Sequence, residues 1–288
     1  MFAAEDYPGL FQAADAAATA AQRIYLRAYA LRLWLALFAA TCAAFTIRIG
    51  SARTDIAALG TALGFVSILA IDVALLSTRP SRTWHEGRAL AESVKSLAWK
   101  YSVGGTPFDS NRADPDTRLL DRIRALQRAV PDLTVRPTTA SCITGRMRDL
   151  RRCTFPERRR IYLEHRIHEQ QEWYASRSAS HHRRGNRLYA LGLFLEIGGI
   201  TAALGKAFNT IDFDLAGIVA AAIAALAAWS SARQHIRTAI TYATTSNELA
   251  IITDALTNAS ENDWATAVAR AEEAINREHA LWRAAHHE

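Results

Sequence analysis

The chain has 288 residues, half of them hydrophobic, with 34 Lys/Arg against 28 Asp/Glu and a mean hydropathy of −0.04. This balance suits four short membrane spans diluted by large, highly charged soluble segments, in one domain or two. Cys42, Cys142 and Cys153 show no CxxC spacing, and neither a disulfide framework nor a structural zinc site is suggested.

The first thirty residues carry Glu5, Asp6 and Asp15 and lack a basic start followed by an apolar core, so no cleaved signal peptide is expected. Residues 10–29 predict an Ala-rich amphipathic helix with Phe11, Ile24, Leu26 and Tyr29, flanked by Arg23, Arg27 and Arg32 as an interfacial anchor. Leu31 to Ile47 predicts a first span, with Arg32 near its end free to snorkel. Ile56 to Leu76 predicts the return span, whose one charge, Asp72, lies near the exit where solvent and Arg79 are available to it. Arg79-Pro80 stops that helix.

Trp84 to Tyr101 predicts an amphipathic helix with Arg88, Glu92 and Lys95 at helical spacing, broken by Gly104-Gly105 and Pro107. Asp114-Pro115 starts another, with Leu119, Ile123, Leu126 and Val130 as a core stripe and Pro131 ending it. Residues 131–155 are the least regular part and mark the expected boundary between halves. From Glu157 a helix of about 48 residues, roughly 70 Å, can run into the third span, with Gly185 as a point of bending.

Residues 188–232 hold two apolar runs separated by a polar link around Asn209, Asp212 and Asp214, which predicts a second hairpin. Each run is near the lower end of the roughly 17–25 residues that a span needs. Glu196 stands at the middle of the first run, where a charge costs about 3 kcal/mol. Intramembrane carboxylates usually face an interior or an aqueous path, so Glu196, and more weakly Asp72, are candidate pore-lining residues. The structural alternative for Glu196 is a protonated side chain bonded to a neighbouring helix. The fourth span is expected to continue through Arg233, Tyr242 and Leu249. Beyond it Trp264, Val268, Ala271, Ile275 and Trp282 recur as a packed helix seam.

Short-loop basic excess stays in the cytoplasm. Residues 77–187 hold 23 Lys/Arg against 12 Asp/Glu, whereas the two links are poor in charge. Arg79, Arg82, Arg183, Arg184 and Arg187, nearest the spans, are the candidate membrane-anchoring residues. Both termini and the central segment are thus expected in the cytoplasm, with the links outside. The fold class expected is all-α and integral to the membrane: two transmembrane hairpins, four spans in all, with long cytoplasmic amphipathic helices.

Arg166, Gln170, Trp173-Tyr174, the basic cluster before the second hairpin, Trp229, Leu249, Trp264, Glu273, Glu278 and Trp282 together resemble the SLATT domain. The N-terminal half, with Trp84, Arg88, Ala91-Glu92-Ser93, Trp99, Tyr101 and Pro107-Phe108, resembles a second, divergent SLATT variant. On this basis 1–130, with hairpin 31–76, and 156–288, with hairpin 188–232, are two SLATT-like domains joined by an irregular linker at 131–155. The resemblance implies two-helix membrane units with cytoplasmic helices, acting as pore-forming effectors in bacterial conflict systems beside nucleotide-signalling or sensor proteins. Trp84, Trp99, Trp173, Trp264 and Trp282 are the expected helix-packing residues.

Sites for chemistry are sparse. His168-Glu169 is followed by Glu172 where HExxH needs a histidine, so no metal site is assigned. No GxGxxG, GxxxxGK[ST] or GxSxG occurs. No enzyme, cofactor or metal is expected. Residues 146–160 are strongly basic; a patch facing anionic lipid is favoured over nucleic acid. The expectation is an inner-membrane effector of an anti-phage system that oligomerises into a pore, with the bilayer, further copies of itself and a separately encoded nucleotide-signalling or sensor protein as partners. The alternative is a non-conducting scaffold that recruits a signalling partner through its cytoplasmic helices.

The topology has a direct check. In a background without native cysteines, Ser51→Cys is expected to react with an impermeant maleimide in intact cells and Ser180→Cys is not; the reverse pattern would exclude it.

Overall fold

Inside hydrocarbon every backbone N–H and C=O must be satisfied within its own segment, which leaves the helix as the simplest solution for an apolar run. The computed structural model describes residues 2–49, 54–109 and 114–284, with side chains to 276, and among these it is helical nearly throughout. The helices are α1 (Gly9–Ala43), α2 (Ile56–Thr78), α3 (Pro80–Val103), α4 (Pro115–Arg128), α5 (Gly145–Arg152), α6 (Phe155–Tyr162), α7 (Glu169–Ala207), α8 (Leu215–Arg233), α9 (His235–Thr257) and α10 (Glu261–Ala284). A π turn, Leu163–His168, joins α6 to α7. Two-residue strands, Arg48–Ile49 and Thr54–Asp55, pair antiparallel across the first link.

Four helical stretches are long and apolar enough to cross a membrane, and at most 6% of each apolar window is buried inside the molecule. Apolar side chains left this bare need a lipid solvent. The expected all-α membrane fold is therefore what the chain adopts.

Packing divides the chain into two units. The hairpin unit is Arg23–Pro80 with Ala179–Ala239; the other is Met1–Gln22, Ser81–Ser178 and Ile240–Glu288. Each unit draws on both halves of the sequence.

In the hairpin unit α1 and α2 meet through small residues. A Cβ on Gly64 would lie 2.9 Å from Ala39 Cβ, and one on Gly60 3.0 Å from Cys42 Sγ. Asp55 caps α2, its carboxylate accepting from the N–H groups of Ala57 and Ala58. The second hairpin closes likewise through Gly199 against Val219, and its link is tied by Lys206 Nζ, 3.1 Å from Asp214 Oδ1. The hairpins touch each other where Tyr29 donates to the Ala228 carbonyl and Phe45 stacks on Phe213.

The other unit is built around aromatic side chains. Trp99, Tyr101, Phe108, Tyr162, Tyr174 and Trp264 are each 2% exposed or less, with Leu119, Met147, Leu249, Val268 and Ile275 between them. Trp264 donates to the Val103 carbonyl at 2.8 Å and meets Phe155 and Tyr162 edge-on. The stripes predicted on α3, α4 and α10 thus lie in one core. The side chain of Trp282, the last member of the predicted seam, falls outside the described residues.

Several boundaries differ from expectation. The first span ends as a helix at Ala43, not Ile47, because the residues that follow turn into the short ladder. Residues 145–152 form α5, capped by Thr144 and buried through Met147 and Leu150. The fourth span does not continue smoothly: Gln234 adopts φ 43°, ψ 41° and α9 starts afresh. Arg79 does the same between α2 and α3 at φ 43°, ψ 50°. Each elbow residue donates its N–H to the carbonyl four residues back, Leu75 or Ser230, so both hairpins leave the apolar region through the same joint. α7 runs unbroken through Gly185, where the missing side chain makes room for Ile236.

The close approach at Gly64 predicts that Gly64→Val destabilises the first hairpin by about 1–3 kcal/mol, the range for overpacking. Gly198→Ala, where no atom lies within 4 Å of an added Cβ, is expected to be neutral within the same series. Thermal unfolding of both variants in detergent is the measurement; equal melting temperatures would exclude the packing assigned to Gly64.

Candidate functional site in the apolar hairpins

Hydroxyls inside the spans are largely silent because each returns its hydrogen bond to its own helix. Thr41 donates to Leu37, Ser67 to Leu63 and Thr201 to Ile197, all at 2.8–3.0 Å. Thr61 reaches both Ala57 and Ala39, adding a link across the first hairpin. What remains chemically active in the spans is the charged residues.

Asp72 pairs with Arg32, Oδ1 to Nε at 3.2 Å, joining α1 to α2. This corrects the expected partner: Arg79 lies at the elbow beyond α2, and Arg32 is held by Asp72 and not left to snorkel. The pair sets the two charges against each other between the helices, with the side chains of Arg32 and Asp72 still 42% and 35% exposed.

Glu196 is placed differently. It sits on α7 at the middle of the apolar run and is exposed, and among the described residues it makes no hydrogen bond or ion pair. Leu193 and Ile200, one turn away on either side, are 44% and 62% exposed. The carboxylate therefore stands on an apolar surface that the chain itself does not cover. The two candidate carboxylates are not brought together.

Around the elbows Arg82 pairs with Glu86 and Asp132, each at 2.7 Å, and Arg183, Arg184 and Arg187 are exposed. Trp84 stacks on His85, while Trp173 is 37% exposed against Tyr174 and Tyr242. The basic stretch 146–160 is engaged within its own unit. Arg151 donates to the carbonyls of Tyr101 and Phe108, Arg159 lies by those of Thr257 and Ala259, and Arg148 and Arg160 pair with Asp116 and Glu164. Part of the stretch is thus engaged within the unit, while the side chains of Arg152 and Arg160 stay 77% and 65% exposed.

One constellation went unread in the sequence. Arg166, 2% exposed, forms a bidentate pair with the fully buried Glu272: Nε to Oε1 at 2.9 Å and Nη2 to Oε2 at 2.7 Å. Tyr162 adds a third bond, donating to Oε1 at 2.9 Å. The π turn makes this possible, since its wider winding turns Tyr162, Arg166 and Ile167 inward together. Burial, the largest effect on Arg166, disfavours its charge, but the charge and hydrogen bonds of Glu272 outweigh it and hold the pKa above the usual guanidinium value. Burial and then Glu272 push the Tyr162 phenol well up, so it stays a donor. Beside them Trp99 donates to Tyr7 Oη at 3.1 Å, and burial pushes the Tyr7 phenol up to about 12. The neighbouring Glu273, which carries part of the family resemblance, is exposed; the buried acid is one residue earlier.

Removing one partner of a buried ion pair costs about 3–5 kcal/mol, because the other is left uncompensated. Glu272→Ala is expected to lose that much in denaturant unfolding followed by tryptophan fluorescence. The double variant Arg166→Met, Glu272→Leu is expected to recover most of the loss. A double variant as unstable as the single one would mean that packing, not charge, sets the cost.

Two family models match the chain. SMODS and SLOG-associating 2TM effector domain 3 covers residues 8–159, and SMODS and SLOG-associating 2TM effector domain 1 covers residues 162–282. No curated protein and no solved structure matches. The second match begins at Tyr162, the donor to Glu272, and the two hairpins fall one in each match. The chain therefore belongs to the SLATT family of two-transmembrane effector domains and carries two of them in tandem.

Proposed function

We propose that this protein is the membrane effector of a bacterial conflict or anti-phage system, and that several copies assemble in the inner membrane, when triggered, into a cation-favouring pore. The observation that supports this reading is the outward carboxylate of Glu196. A single chain would present it to hydrocarbon at a cost of about 3 kcal/mol for a central charge. Assembly moves it from lipid to a shared interior, where a ring of carboxylates attracts water and cations. The same substitution of environment gives assembly a driving force that lipid-facing leucines do not supply. The trigger is expected to come from a separately encoded nucleotide-signalling or sensor protein, as in the conflict systems that give the family its name.

Ion flux tests the proposal. Liposomes carrying wild-type protein at increasing density are expected to leak cations in preference to anions. Glu196→Gln, which keeps shape and hydrogen bonding, is expected to assemble to the same size and lose most of the cation preference. Induced expression in cells should depolarise the membrane with wild type and less so with the variant. A protein that remains a monomer or dimer in detergent and conducts in neither setting would instead be a non-conducting scaffold. Equal selectivity in wild type and Glu196→Gln would remove Glu196 from the pore and leave the pore itself standing.

A further inference from the structure

Where the second hairpin leaves the apolar region, a cleft of about 430 Å³ is lined by Arg184, Arg187, Leu188, Trp229, Arg233 and His235. Arg187 directly precedes the apolar run of α7, and Arg233 is the last residue of α8. The cleft therefore lies at the depth where hydrocarbon gives way to headgroups. Its three guanidinium groups have no carboxylate partner among the described residues. Other arginines of this chain, such as Arg82, Arg148 and Arg160, do find one.

Arg233 is the most constrained of the three. Its guanidinium carbon lies 5.0 Å above the Trp229 ring, and its Nε is buried without an acceptor. A buried N–H donor left without a partner is costly, so the geometry favours an incoming oxygen. His235, 7% exposed, is fixed by its Nδ1 contact to His181 Nδ1 at 3.1 Å, and Trp229 is steadied by the Tyr29 ring. Arg233 is thus held on a preformed wall of Trp229 and His235, and Arg184 and Arg187 stand exposed beside it. Beside them Leu188 and the outward Tyr189 and Leu191 lead from the cleft along the span.

We propose that this cleft binds the phosphate of an anionic phospholipid, with Arg184, Arg187 and Arg233 donating to its oxygens and its acyl chains lying along the exposed face of α7. Guanidinium groups suit a phosphate because their planar forks present paired donors to its oxygens. An indole at the same level suits the glycerol region, where aromatic rings are enriched in membrane proteins. The inference rests on the hairpins crossing the bilayer and not on whether the assembly conducts.

The test uses the full chain, delipidated in detergent, with binding read by native mass spectrometry and no flux measured. Phosphatidylglycerol is expected to bind at substoichiometric detergent exchange where phosphatidylcholine does not. Each of Arg184→Gln, Arg187→Gln and Arg233→Gln should weaken it roughly fivefold, the factor equivalent to about 1 kcal/mol per basic residue at a membrane surface. Arg124→Gln, on α4 in the other unit and paired with Asp121, should leave it unchanged, and Arg233→Lys should fall between wild type and Arg233→Gln. Equal retention of the two lipids by wild type would overturn the proposal even if the variants misfold. So would cleft variants that behave like Arg124→Gln. Glycerol phosphate displacing the lipid at equal concentration would overturn a lipid as the source of the phosphate.

Discussion

Arg166 and Glu272 are a full unit charge each, taken entirely out of water. The effective penalty is several kcal/mol per ion, recovered only if the geometry is close to ideal and the remaining lone pairs are used. Two parallel N–H···O bonds and the Tyr162 hydroxyl use both carboxylate oxygens, while Arg166 Nη1 is buried without an acceptor among the described residues. The condition then governs the surroundings. α10 must present Glu272 inward, the α6–α7 connection must widen into a π turn to present Arg166 and Tyr162 together, and the aromatic wall of Trp99, Tyr162 and Trp264 must close over them. A slip of either helix by one residue leaves a buried charge alone, so the pair fixes register where apolar contacts alone tolerate sliding.

The hairpin unit answers to a different solvent. Apolar side chains there face outward and small residues face inward, as at Gly64 against Ala39. Hydroxyls are consumed by their own helices, and Asp72 is paired with Arg32. Against that background Glu196 is conspicuous for having no partner among the described residues. Polarity in these spans is thus either settled locally or left for something outside the chain to settle.

Much of this was legible in the sequence because it depends on periodicity and on strong punctuation. Both hairpins, the Asp114-Pro115 start of α4 and the buried stripe Trp264, Val268, Ala271 and Ile275 follow from apolar spacing and from residues with one conformational use. The elbow at Arg79 was signalled by Pro80, but its counterpart at Gln234 has no glycine or proline to announce it. The π turn was equally hidden, since LEHRIH reads as an ordinary polar helix. Burial of Arg166 and Glu272 was beyond reach for the same reason: arginine and glutamate are almost never fully buried unless paired, and their partners lie 106 residues apart. At the candidate site the sequence singled out Glu196 and Asp72, but only coordinates separate a carboxylate already paired from one still exposed.

That separation has a consequence for geometry around a symmetry axis. Each hairpin crosses twice, so both start from the same face of the membrane, and a closed assembly of n chains contains 2n hairpins. Only one hairpin of each pair carries an unneutralised acid. Were both hairpins to line such a ring, successive positions around it would be chemically unlike, and the circumferential spacing of negative charge would be set by the tandem length, not by the width of one hairpin. A tandem chain in that arrangement would set half the linear charge density of an assembly in which every hairpin carried such an acid, whatever the value of n.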